Sequence, residues 1–150
     1  MYRFTHEQKI GAPKEEVWRF FATPANLPKL TPPNMKMELL DALPDRMYPG
    51  MVVRLKVAPL LGISLAFTSV ITTVQEQDYF IDEMREGPFA EWHHEHRFEE
   101  RKDGTLIRDI VHYRIPLGPL GKLFQPFLVK RQIQELFAFR EQKVIQLIAS

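Results

Sequence analysis

The chain has 150 residues, twenty basic against nineteen acidic, a formal net charge of +1 and no cysteine. That length suits a single domain spanning residues 1–150 that buries a core without cross-links. The balanced charge excludes an electrostatic case for nucleic acid, and the missing cysteine excludes disulfides, thiolate metal sites and cysteine nucleophiles.

Taken in chain order, MYRFTHEQKI lacks the apolar run of a signal peptide, so a cytoplasmic protein is expected. Its weak alternation from Tyr2 to Ile10 predicts a strand. Pro13 starts a short helix in the first turn, where its missing N–H costs nothing. Glu15 and Glu16 suit the helix dipole, and Val17, Trp18, Phe20 and Phe21 give it an apolar face. Pro24 ends it. Residues 25–30 read as a second short helix, stopped by Thr31-Pro32-Pro33.

Strand signals follow. Met35, Met37 and Leu39 alternate; so do Met51, Val53, Leu55 and Val57 after Pro49-Gly50, and Ile63, Leu65, Phe67, Ser69 and Ile71 after Gly62. The stretch VAPLLGISLAF is too short to span a bilayer and is broken by Pro59 and Gly62. Phe80, Asp82 and Met84 share a face of the next strand. The following one carries Trp92, His94, His96 and Phe98 on one face and Glu91, His93, Glu95 and Arg97 on the other. Two aromatic rings flanking two imidazoles describe a pocket wall better than a plain core strand. After a turn at Asp103-Gly104, Asp109, Val111, Tyr113 and Ile115 share a face, again placing an acid and a phenol among aliphatic groups. Short connections predict an antiparallel meander.

Near Gly118 the period changes to that of a helix. Leu123, Phe127, Lys130, Ile133, Phe137, Arg140, Val144 and Leu147 recur at three- and four-residue steps, so one helix of about 40 Å is expected from Leu120 to Ile148. The fold class is α+β: a curved antiparallel sheet of about six or seven strands wrapped around a long C-terminal helix, with two short helices after the first strand.

Three segments carry a resemblance: APKEEVWRFFATPANLPKLTPP (12–33), FIDEMREGPFAEWHHEHRF (80–98) and DIVHYRIPLGPLG (109–121). With the terminal helix, they make the chain similar to the Bet v 1/START-like helix-grip superfamily, also called SRPBCC. The nearer likeness is to its small single-domain bacterial branch, of polyketide cyclase/dehydrase-like or cell-division-inhibitor-like kind. The resemblance implies an elongated, mostly apolar cavity between sheet and helix. It does not choose among activities, because such folds host many.

Three functions suit this chain. In the first, a small or medium hydrophobic molecule (lipid, polyketide-like or aromatic) lies in the cavity. Phe67, Phe80, Trp92, Phe127 and Phe137 form walls, and Asp82, His94, His96, Asp109, Tyr113 and Arg140 form the polar lining that orients its polar end. In the second, a cofactor-independent cyclase or dehydratase uses His94, Asp109 and Tyr113 for proton transfer. In the third, the cavity is vestigial and the domain serves interactions. Arg140 sits on the apolar helix stripe and is expected to pair with Asp109 or Asp82. No glycine-rich phosphate loop or cofactor fingerprint occurs, so no cofactor is expected. His94 and His96 are a pair of metal-ligand type, but two histidines hold zinc poorly, and the third ligand would have to be Glu100 or an acid already needed by Arg140. No metal is therefore expected. Met35, Met37, Met47, Met51 and Met84 suit an adaptable wall as well as ordinary core. Lys122, Lys130, Arg131 and Lys143 read as a solvated helix face. Membrane contact through the apolar loop Pro116–Leu120 is compatible with these residues but is not predicted, and the oligomeric state is left open.

Overall fold

The chain's alternating segments pair into one seven-stranded antiparallel sheet. The computed structural model describes residues 1–60 and 62–148, with the backbone alone for 59, 60, 122 and 124–126. The strands are β1 (Tyr2–Ile10), β2 (Glu38–Leu39), β3 (Val52–Leu60), β4 (Ile63–Gln75), β5 (Tyr79–Glu86), β6 (Glu91–Arg101) and β7 (Gly104–Arg114), in the order β1-β7-β6-β5-β4-β3-β2. From β2 to β7 each strand pairs with the next, and β1 closes against β7 with Tyr2 opposite Tyr113 and Ile10 opposite Thr105. The fold is the α+β helix-grip arrangement that the sequence pattern predicts.

Helix α1 (Lys14–Phe21) follows Pro13, its N-cap, and buries Val17 and Trp18. Trp18 meets Phe98 edge-on at 5.2 Å between ring centres, and its Nε1–H donates to Glu76 at 3.1 Å. The second short helix is a 3₁₀ segment, Pro24–Leu30, with Pro28 inside it. The predicted strand through Met35 and Met37 is corrected. Residues Pro33–Met35 form a 3₁₀ turn, Lys36 adopts a left-handed φ of 48°, and only Glu38 and Leu39 pair with β3. Pro32 and Pro33 have no N–H to give a ladder, so the alternation of the methionines records burial rather than pairing.

The turn between β6 and β7 sets the register of both edges of this hairpin. Arg101 pairs with Gly104, whose φ is 149°, and a Cβ there would sit 2.1 Å from the Ile10 carbonyl oxygen. The obstacle is the Ile10–Gly11 backbone, which cannot swing aside as a side chain could, so Gly104→Ala is expected to destabilise by more than about 1 kcal/mol. Urea unfolding would check this; an unchanged midpoint would show that β1 can move away from the turn.

The C-terminal helical run differs from the uniform helix predicted. It is α2 (Pro119–Phe124), a π turn (Gln125–Val129) and α3 (Lys130–Ile148). Pro126 lacks the N–H that an α turn needs, and a π turn absorbs such a fault by taking in an extra residue. Ile133, Phe137 and Val144 of α3 are buried against the sheet, whereas Leu117, Leu120, Leu123 and Phe127 are exposed. Side chains of β1 tie α3 down: Gln8 donates to the Glu141 carbonyl at 2.8 Å and His6 lies 3.2 Å from the Glu141 carboxylate. Lys130 and Arg131 face solvent as predicted, while Lys122 lies outside the residues whose side chains are described. No described helix is long and apolar enough to cross a membrane.

Among the described residues most buried apolar side chains fall into three groups: one around Trp18, Phe98 and Val144, one around Met51, Leu55 and Ile71, and one around Val111, Tyr113 and Phe137. A hollow lies where the three would meet.

Candidate functional site

Strand periodicity places the two imidazoles of β6 on its inner face, and pairing decides what they meet. His94 lies opposite Asp82 of β5, and His96 lies opposite Asp109 of β7. Their rings lean together and stack at 3.6 Å, and His96 also stacks on Phe80 at 4.0 Å. The result is a column of three rings, bounded edge-on by Trp92 and Phe137.

A carboxylate stands at each end of the imidazole pair. His94 Nε2 is 2.8 Å from Asp109 Oδ1, and His96 Nε2 is 2.6 Å from Asp82 Oδ2. The remaining ring nitrogens point the opposite way: His96 Nδ1 is 3.5 Å from Asp109 and His94 Nδ1 is 4.0 Å from Asp82. Ser69 Oγ donates to the other oxygen of Asp82 at 3.2 Å. Burial pushes both acids toward the protonated form. For Asp82 the hydrogen bond and charge of His96, with His94 and Ser69 added, outweigh burial and hold its pKa below the usual carboxylate value. For Asp109 the hydrogen bond and charge of His94, with His96 and Arg140 behind it, do the same. Burial, with the charge of His94, lowers the His96 pKa against the pull of Asp82 and Asp109. These are the effects that desolvation and neighbouring charge have on buried titratable groups.

Arg140 is not held as predicted. Among the described residues no carboxylate lies within 4.0 Å of its guanidinium, and its Nε is buried without a hydrogen-bond partner. The guanidinium lies 5.2 Å over the Phe137 ring, and Asp109 and Asp82 attract it only through space. The physical reason is competition: each acid is already occupied by an imidazole.

The hollow has a volume of about 230 Å³ and runs between the sheet, the 3₁₀ segment and α3. Its apolar wall comes from Val53, Leu55 and Val57 of β3, Phe67 and Ile71 of β4, and Met35, Met37 and Met47 of the connecting segment. At one place Ser69, Asp82, His94, His96 and Arg140 interrupt it.

Of the residues named from sequence, Phe67, Phe80, Asp82, Trp92, His94, His96, Phe137 and Arg140 line the hollow. Asp109 stands behind His94 and does not line it. Tyr113 is buried in the wall, packed between Tyr2 and Phe89 at ring distances of 5.5 and 5.8 Å, and does not line it either. Phe127 is corrected: it is 75% exposed and lies away from the hollow. In an unbroken helix ten residues at about 100° each would leave Phe127 about 80° from Phe137; one inserted residue takes the separation to about 180°. Leu27, Gln132 and Leu136 also line the hollow and carry no signal in the sequence, whereas Ser69 lines it as its alternation with Phe67 and Ile71 requires.

The sequence profile described as polyketide cyclase / dehydrase and lipid transport matches residues 10–137. No curated protein matches in sequence. Solved structures do match in fold. A START superfamily protein from Mycobacterium smegmatis aligns with a TM-score of 0.71 at 16% identity, covering 98% of this chain and 99% of its own. Major latex-like protein 151 from Panax ginseng aligns at 0.67 with 17% identity, covering 94% and 95%. A Thermus thermophilus protein aligns at 0.67 with 21% identity, covering 97% and 98%. At these identities the likeness is one of fold.

Proposed function

The chain belongs to the polyketide cyclase / dehydrase and lipid transport family, and from that premise we propose that it binds a small or medium hydrophobic molecule with one polar end in the hollow between sheet and α3. The observation that carries this reading is the wall itself, mostly apolar, with Ser69, Asp82, His94, His96 and Arg140 converging at one place and Thr23, Asn26 and Gln132 the other polar groups on it. That is the composition of a ligand site, in which area supplies affinity and a few polar groups supply orientation. A volume of about 230 Å³ is just below the usual range of such sites and favours a compact aromatic or short-chain molecule over a long lipid. The orphaned Nε of Arg140 asks for an acceptor, so the polar end carries a carbonyl or carboxylate oxygen.

The test is a fluorescence titration with 2-naphthoic acid and with naphthalene. Both are expected to saturate, and Ser69→Trp, which fills the hollow, is expected to abolish both. Arg140→Met is expected to weaken 2-naphthoate about tenfold, roughly 1.4 kcal/mol, while leaving naphthalene binding and the melting temperature near the parent values. Saturable binding that survives Ser69→Trp would place the probe elsewhere. No binding to folded protein would favour a vestigial cavity.

One observation favours a second reading, proton transfer on a carbonyl substrate. His94 lines the hollow with Asp109 behind it, so its ring is oriented in the manner of a general base. Turnover of a ketone-bearing ligand, lost in His94→Gln with binding retained, would support catalysis over carriage.

A further inference from the structure

The geometry points to a divalent transition-metal site formed by Asp82, His94 and His96 at the polar end of the hollow. From the sequence, the third ligand would have to be Glu100 or an acid already needed by Arg140; in the folded chain Asp82 is free of that demand. Asp82 crosses from β5 to the imidazole pair, and no carboxylate lies within ion-pair distance of Arg140 among the described residues.

One ligand atom from each of the three residues lies within 4.8 Å of the other two. An ion about 2.1 Å from each would hold them roughly 3.0–3.4 Å apart. The observed separations from the Asp82 oxygen straddle that spacing, 2.6 Å to His96 Nε2 and 4.0 Å to His94 Nδ1. Small rotations of the two rings therefore reach coordination distance. The second nitrogen of His94 has a hydrogen-bond partner, and that of His96 has the same carboxylate nearby. Asp109 Oδ1 lies 2.8 Å from His94 Nε2 and 3.5 Å from His96 Nδ1. A carboxylate behind a ligating histidine fixes its tautomer and raises its basicity, and Asp109 stands so behind His94, within reach of His96. Ser69 does the corresponding work for Asp82 by holding its other oxygen.

The donor set decides the class of ion. Two imidazoles and one carboxylate suit Zn²⁺, Fe²⁺, Co²⁺ or Ni²⁺ and do not suit Mg²⁺ or Ca²⁺, which take oxygen ligands. All three residues line the hollow, so the remaining coordination positions face it. The acceptor oxygen of a bound molecule, or water in its place, would complete the ion's shell, with Arg140 on the same wall to receive a second oxygen.

The test uses tag-free protein stripped with chelator and titrated with Co²⁺ alone, read by visible absorption, and with Zn²⁺ alone, read by calorimetry. Saturation at one ion per chain in the micromolar range is expected. His94→Gln and Asp82→Asn are expected to abolish it, with circular dichroism confirming the fold. Asp109→Asn is expected to weaken it about 10–100-fold with stoichiometry kept. His93→Gln, on the outer face of the same strand, should leave it unchanged. Absence of Co²⁺ and Zn²⁺ binding by the folded parent chain would overturn the site, and so would binding that survives both ligand substitutions. The titration needs no organic ligand, so its outcome is separate from that of the naphthalene series.

Discussion

Phe137→Ala is expected to lower stability by about 3–5 kcal/mol, which for a chain of this size is a fall of roughly 6–20 °C in melting temperature. Phe137 is 1% exposed and is the central anchor of α3 on the sheet. Its ring lies 5.0 Å from Phe4, 5.4 Å from His6 and 5.8 Å from His94, and it carries the Arg140 guanidinium on its face. Truncation removes those contacts at once. It also leaves a void that opens into the existing hollow, so the neighbours have little reason to collapse inward. The same void should enlarge the ligand site and admit bulkier probes than 2-naphthoate. Chemical denaturation of the variant checks the first expectation. A loss below about 1 kcal/mol would mean that α3 is held by its tie to β1 and not by its buried stripe.

The second large effect is expected at Asp109. Asp109→Ala should cost about 3–5 kcal/mol, the range seen when one member of a buried charged pair is removed. The residue is buried, accepts from His94 at 2.8 Å, and is the strongest attraction on Arg140. Without it, one end of the stacked imidazoles faces an apolar wall and Arg140 keeps only the weaker pull of Asp82. Asp109→Asn preserves shape and a hydrogen-bonding group, so its loss should be clearly smaller. Urea unfolding of both variants decides the matter. Equal losses would show that volume at this position, and not charge, is what the fold requires.

Much of the fold was legible because two periods do not overlap. Alternation in β3, β4, β6 and β7 marks a sheet with one buried face, and a register slip of one residue would turn His94 outward. His94, His96 and Phe98 are buried as that parity requires, while His93 reaches Glu83 on the outer side. Twice the pattern gave the wrong element for a reason sequence does carry, although weakly. Met35 and Met37 alternate inside a segment that Pro32 and Pro33 bar from a ladder. Pro126 lies within the helical run and changes its phase, which is why Phe127 faces outward and Phe137 inward.

The residues that make a candidate site were therefore named by the sequence, since an acid or imidazole on an apolar strand face stands out against the cost of burying it. Which of them meet was decided only in three dimensions. Cross-strand register sets Asp82 opposite His94 and His96 opposite Asp109, and the hydrogen bonds run along the diagonals, His96 to Asp82 and His94 to Asp109, a property of the sheet and not of any one segment. That pairing gave both carboxylates to the imidazoles and left Arg140 with none in ion-pair range among the described residues, the reverse of the partnership its helix position suggested. Hydrophobic pattern is a local quantity, and one chain segment displays it alone. Hydrogen-bond partnership among buried charges is a competition between segments far apart in the chain, and only the packed structure settles it.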